Sequence, residues 1–180
     1  MQKVGFHALL IAAFSLGVAG TAQAERSEGT TTARKGVVRC GATNHLRQGG
    51  TEVHTTNLNL RNFDEAPITI ERLRVFDATG AVLFDTAGGG LPAASNGVLG
   101  PANNVLNPNQ TAQFDTDSIL DFLPNEARPL QAEVQWSAST PVLTLGVTAT
   151  RLVRQRDPGT GQMQAERARD ANACRNIFLG

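Results

Sequence analysis

The sequence predicts an all-β chain: an antiparallel, Ig-like sandwich of about eight strands with one short helical turn. Three observations carry that expectation. Residues Leu130 to Ala138 alternate cleanly, with Leu130, Ala132, Val134, Trp136 and Ala138 on one face and Gln131, Glu133, Gln135 and Ser137 on the other. This is the period of a strand with a core face and a wet face. Turn residues recur at the close spacing of hairpins, and almost no segment carries a helical period.

Before the first strand, residues 1–24 read as a secretory signal peptide. Lys3 supplies the positive end, Ala8 to Val18 the short apolar run, and Ala22-Gln23-Ala24 the cleavage site. The polar stretch 25–35 reads as a flexible leader, which leaves 36–180 as a single β-sandwich domain. Val37 to Cys40 is a short first strand. Thr51 to Arg61 is a clearer one, with Leu58 and Leu60 on one face, and it ends in a turn at Phe63 to Pro67.

Ile68 to Asp77 follows with a slip of phase. Ile68 and Ile70 point one way and Leu73 and Val75 the other, which a β-bulge near Glu71-Arg72 or a strand buried on both faces would explain. The turn Asp77-Ala78-Thr79-Gly80 joins it to Ala81 to Thr86, so 68–86 reads as a hairpin. Residues 87–104, with Gly88, Gly89 and Gly90 in a row, read as a long irregular loop of the kind that is functional or mobile. Thr111 to Thr116 is a strand. Asp117 to Leu123 is a helical turn capped by an acidic or hydroxyl residue such as Asp115 or Asp117. Ser139-Thr140-Pro141 is a turn before a strand at Val142 to Arg154, and Asp157 to Gly161 is a hairpin turn. For 163–174 strand and helix both remain open, because the segment is rich in Ala, Arg and Glu.

Composition excludes some functions. The whole chain has 16 basic and 16 acidic residues. That balance does not fit a strongly basic nucleic-acid binder. After the leader no apolar stretch is long enough to span a bilayer, and no cysteine stands directly after the cleavage site to carry a lipid, so no membrane anchor is expected. The expected compartment is periplasmic or secreted. There, Cys40 and Cys174 form a disulfide tying the two ends of the domain together. A reactive or metal-binding thiol pair is the competing reading, although neither cysteine stands in a C-x-x-C.

Candidate chemistry is sparse. His45 and His54 match no zinc spacing, so exposed or hydrogen-bonded histidines are expected, with no metal and no cofactor. Asp115, Asp117 and Asp121 lack the glycine of a calcium loop. There is no nucleophile elbow and no phosphate-binding loop, so no catalytic residue is assigned. Arg151, Arg154, Arg156, Arg167 and Arg169 flank the 157–161 turn. A hairpin there would gather guanidinium groups able to grip a carboxylate, a phosphate or an acidic partner. Local pairing with Asp157, Glu166 and Asp170 is the competing reading.

The succession Leu58-Asn59-Leu60-Arg61-Asn62, Pro67-Ile68-Thr69-Ile70, Val75 to Gly80, Leu106 to Thr111 and Glu133 to Ser137 resembles exported bacterial β-sandwich domains of unknown function. More distantly it is similar to the sensory-rhodopsin-transducer-like sandwich. The resemblance covers residues 52–154 and implies the sandwich fold. It assigns no catalytic residue, and the Gly-rich insertion and the cysteine pair depart from its pattern. The expected function is an exported, non-enzymatic binding or interaction module. Its partner would be a macromolecule or small ligand of the envelope, met through Gly88-Gly89-Gly90 or the arginine hairpin. The rival readings are an envelope-acting hydrolase and a structural protein that assembles through strand edges.

Overall fold

The computed structural model describes residues 32–87, 90–121 and 129–179. The expected signal peptide, most of the expected leader, Gly88 and Gly89 lie outside them. In chain order the described elements are β1 (Ala33–Ala42), β2 (His45–Arg47), β3 (Glu52–Asn62), β4 (Ile68–Phe76), β5 (Val82–Asp85), β6 (Val105–Leu106) and β7 (Thr111–Asp115). They continue with α1 (Thr116–Ile119), β8 (Leu130–Val142), β9 (Leu145–Arg156), β10 (Met163–Ala173) and β11 (Arg175–Phe178). The chain is thus an all-β sandwich, with one α-helical turn among the described residues and a 3-10 turn at Gln48–Gly50. The described strands exceed the expected eight because β2, β6 and β11 are too short to show an alternation in sequence.

Two antiparallel sheets face each other. The first runs β11-β1-β8-β4-β5, with β6 also on β4; the second runs β10-β9-β3-β2, with β7 also on β3. Alternation supplies the core between them. Val38, Leu73, Val75, Val134 and Trp136 come from the first sheet; Leu58, Leu60, Ala112, Phe114 and Ala149 come from the second. Trp136 fits because its cross-strand neighbour is Gly36: a Cβ there would lie 2.8 Å from the indole.

The phase slip in β4 is a bulge. The pairing of β4 with β8 shifts between Ile70 and Arg72, so Ile68, Ile70, Leu73 and Val75 are all buried. One extra residue at Glu71 turns two faces into one. A second irregularity corrects an expectation. Ser139-Thr140-Pro141 lies inside β8, where the pairing with β1 shifts between Ala33 and Lys35. At such a bulge Pro141 has no ladder bond to lose. The pairing with β1 also draws Ala33 to Lys35 out of the expected leader and into a strand.

Residues 163–173 are strand. The hairpin turn is organised by Asp157, whose carboxylate accepts the Gly159 and Thr160 N–H groups at 2.8 Å each. Pairing with β9 along the whole of β10 then outweighs local helix propensity. The helical turn also differs from expectation. It begins at Thr116, and Asp115 stands at its N-cap without a side-chain capping bond. Instead the Asp115 carboxylate accepts the Ser95 hydroxyl at 3.1 Å. Thr116 bridges a gap in the β3 edge between β7 and β2: its Oγ1 accepts the Thr56 N–H and donates to the Thr43 carbonyl.

The loop after β5 is anchored rather than loose where it is described. Leu91, Ala94 and Leu99 are buried in the core cluster. The Ala94 N–H donates to the Leu99 carbonyl and the Ser95 N–H to that of Gln113. Gly90 permits a close crossing, since a Cβ there would lie 2.8 Å from the Pro101 Cα.

Cys40 on β1 and Cys174 between β10 and β11 form the disulfide, with a Cα–Cα distance of 4.4 Å. Cys174 is also where the chain leaves the second sheet and joins the first. The bridge therefore pins that crossing. Bridges of this kind persist in oxidising compartments, outside the reducing cytoplasm. No helix among the described residues is long and apolar enough to cross a membrane.

Candidate functional site

Alternation in β8 sends Glu133 away from the core, yet it is only 1% exposed. Its neighbours cover it. Arg39 on β1 and Arg74 on β4 are its direct cross-strand partners. The Arg39 Nε–H donates to Glu133 Oε2 at 2.8 Å; the Arg74 Nε–H and the Gln135 amide each donate to Oε1 at 3.0 Å, and an Arg74 terminal nitrogen adds a further bond. Burial opposes the carboxylate charge, but the bonds from Arg74, Gln135 and Arg39 outweigh it and hold the Glu133 carboxyl below the usual range.

The same register extends to both sides. Arg175 on β11 stands opposite Arg39, and Asp85 on β5 opposite Arg74. Five side chains thus cross the outer face of the first sheet in one row: Arg175, Arg39, Glu133, Arg74 and Asp85. Arg72 grips Asp85 through two nitrogens, and that contact lowers the Asp85 carboxyl to about 2. Arg74 also lies over the Phe76 ring, 5.0 Å from its centre. With Arg72 included, four guanidinium groups share two carboxylates. The surplus sits at the β11 end.

There the arginines have capacity to spare. Among the described residues Arg175 has no carboxylate partner, and Arg39 uses only its Nε, with its side chain 47% exposed. Two like charges directly opposite across a strand pair destabilise it unless an anion lies between them. Beside them is an open hollow of about 580 Å³ lined by Arg39, Cys40, Gly41, Gln131, Arg175, Asn176 and Ile177. A second hollow, of about 710 Å³, shares Arg39, Gly41 and Gln131 and reaches the Asp77–Gly80 turn. The disulfide sits one residue along from both arginines and locks the register that opposes them. Free N–H groups of two planar guanidiniums above a hollow suit a carboxylate or another anion.

The arginines expected near the 157–161 turn do not form one cluster: alternation turns Arg151 away from Arg154 and Arg156, and those two are held by different partners. Arg151 points inward, where its guanidinium donates to His54 Nδ1 at 2.5 Å. Arg154 points outward and is held by Asp117 and Glu166, at 2.6 Å each. Those two carboxylates outweigh the effect of its burial and raise its pKa. Arg156 donates to the Gly161 carbonyl and lines a separate hollow of about 410 Å³ with Gly49, Gly50 and the turn. Arg167 is exposed on β10, and Arg169 lies on the same strand. The local pairing weighed for Glu166 is present. Of the three glycines, Gly90 is committed to its crossing with Pro101.

His45 and His54, nine residues apart in sequence, are direct partners across β2 and β3. Both are buried, and their rings stack with centres 4.6 Å apart. Glu52 only accepts and Arg151 only donates. His54 Nε2 therefore carries the hydrogen given to Glu52, and Nδ1 accepts from Arg151, so the ring is neutral. Burial lowers its pKa, the Glu52 contact opposes this, and the nearby Arg151 charge adds to the lowering. Both ring nitrogens of His54 are thus engaged with protein groups.

The arginine row was not read from sequence. Alternation marks Glu133 as outward, but a lone outward Glu reads as solvated. Only the inter-strand register places Arg39, Arg74 and Arg175 in line with it, and residues 36 to 178 must be folded together before that register exists.

No family model matches the chain, and no curated protein matches it. A solved structure from Thermotoga maritima, the crystal structure of Thermotoga maritima 1070, is similar over 78% of this chain and 93% of that one. Identity is 12% and the TM-score 0.31, a level that carries no argument about fold or function.

Proposed function

We propose that the chain is an exported, non-enzymatic binding module, periplasmic or secreted, that holds an anionic ligand on the outer face of its first sheet. The observation that carries this reading is the opposed pair Arg39 and Arg175, with guanidinium N–H groups unspent beside an open hollow. The surrounding groups support it. Asp85 is held by Arg72, and Glu133 takes Arg74 and Gln135 on Oε1 and the Arg39 Nε–H on Oε2, which leaves the terminal nitrogens of Arg39 and the Arg175 guanidinium unspent. A sandwich stapled by a disulfide presents these groups with little freedom to lose on binding. Arg151, Arg154 and Arg156 stand on the second sheet with partners of their own and do not line this hollow.

Isothermal titration with citrate tests the reading. Saturable heat with the wild-type chain, absent from the Arg39→Gln/Arg175→Gln variant, is the expected result. Equal heats from the two proteins, or no saturable heat from either, would contradict it.

A further inference from the structure

We infer that the ligand is an acidic segment of a partner protein, added in extended form as a new strand along the free edge of β11. This rests on the anion-binding reading above and deepens it.

β11 ends its sheet: it pairs with β1, and no described strand lies on its other side. The Leu179 N–H donates to the Lys35 carbonyl, which sets the alternation of an antiparallel ladder. Arg175 and Ile177 therefore turn their backbone groups toward β1, and Asn176 and Phe178 turn theirs toward the open edge. Those groups are a template for one more strand.

The edge also lacks the usual protection. Along β10 the exposed edge mixes Glu166 and Arg167, the charge pattern that discourages pairing. β11 offers one charge, Arg175, followed by exposed Ile177, Phe178 and Leu179.

Charge complementarity selects the occupant. A strand added here places one residue beside Arg175 on the outer face. A carboxylate at that position would relieve the opposition of Arg175 and Arg39, and would extend the row with an acid at each end. On the same face the next positions meet Ile177 and Leu179, so they favour apolar side chains. The recognised segment thus carries an acidic residue and two apolar residues at alternate positions. A second copy of this chain is a poorer occupant, since its own 175–179 segment holds an arginine and no carboxylate.

The test uses the full oxidised chain and the end-blocked peptide Leu-Thr-Val-Thr-Asp-Thr-Val-Thr-Leu, which presents the pattern in either strand direction. We expect saturable binding by fluorescence anisotropy and slowed hydrogen exchange at the Asn176 and Phe178 amides. Arg175→Glu should weaken the peptide by about ten- to a hundredfold, the range of one charge-assisted contact. Phe178→Pro removes an edge N–H that β1 does not use, so it should abolish peptide binding and leave the citrate heat intact. If citrate binds through Arg39 and Arg175 but the peptide does not, the strand-addition inference is overturned and the anion reading stands. If neither binds, both fail. Peptide binding that leaves exchange at Asn176 and Phe178 unchanged also overturns the inference, and this readout needs no variant. So does a dimer in light scattering that Phe178→Pro dissolves, because the occupant would then be a second copy.

Discussion

Reducing the Cys40–Cys174 bridge should lower stability and loosen the candidate site together. The two cysteines are 134 residues apart, so the bridge closes most of the folded chain into one loop in the unfolded state. The chain-entropy relation gives about 5 kcal/mol for a loop of that length at 25 °C. Residual structure in the unfolded chain sets the realised value below that ceiling, because it reduces the entropy that the bridge removes. A loss of about 2 to 4 kcal/mol is expected. Trp136 is the sole tryptophan and is 2% exposed, so its emission reports unfolding of the core directly. Urea titrations of the oxidised and reduced chains would give the difference from their midpoints, with the slopes showing any change in surface exposed. Without the bridge, β11 is held only by its short pairing with β1, so citrate affinity should fall in parallel. Coincident midpoints would mean that the bridge is not the principal tie on the C-terminal crossing.

Other perturbations probe separate parts of the account. Glu133→Gln leaves Arg39 and Arg74 sharing a neutral, largely buried partner. Urea unfolding should show a loss of about 2 to 3 kcal/mol, less than for a fully buried pair because Arg39 is half exposed. His54 has a folded pKa below its unfolded value, so the unfolded chain binds its proton more readily. Stability from this residue is complete above the unfolded value of about 6.5 and falls as pH drops below it toward the folded value. Thermal melts from pH 7.5 to 5 should show that decline, and His54→Gln should flatten it. An unchanged slope in the variant would place the titration elsewhere. Gly36→Ala brings a methyl to 2.8 Å from the Trp136 ring. It should cost about 1 to 3 kcal/mol and alter Trp136 emission, whereas unchanged emission would mean that the indole does not rest on Gly36.

Local physics made much of the fold legible. Strands β3, β4, β8 and β9 carry their own alternation, and the bulge at Glu71 shows in sequence because a strand cannot change face without an extra residue. The bridge was legible from compartment and spacing. What escaped depends on partners. β2, β6 and β11 exist only through pairing. The Pro141 stretch reads as a turn until β1 is laid beside it. The loop at 90–104 reads as loose until Leu91 and Leu99 find the core. The site follows the same rule. Sequence proximity grouped Arg151, Arg154 and Arg156, but alternation turns Arg151 to the other face and separate partners hold Arg154 and Arg156 apart. The register of β11, β1, β8 and β4 grouped Arg175, Arg39, Glu133 and Arg74, which are scattered along the chain.

The most direct test of the central claim follows the guanidinium signals of individual arginines by NMR as citrate is added to the oxidised chain. Arg39 and Arg175 should shift together and saturably, while Arg154, already held by Asp117 and Glu166, stays in place. No saturable change at Arg39 and Arg175, or an equal change at Arg154, would contradict it.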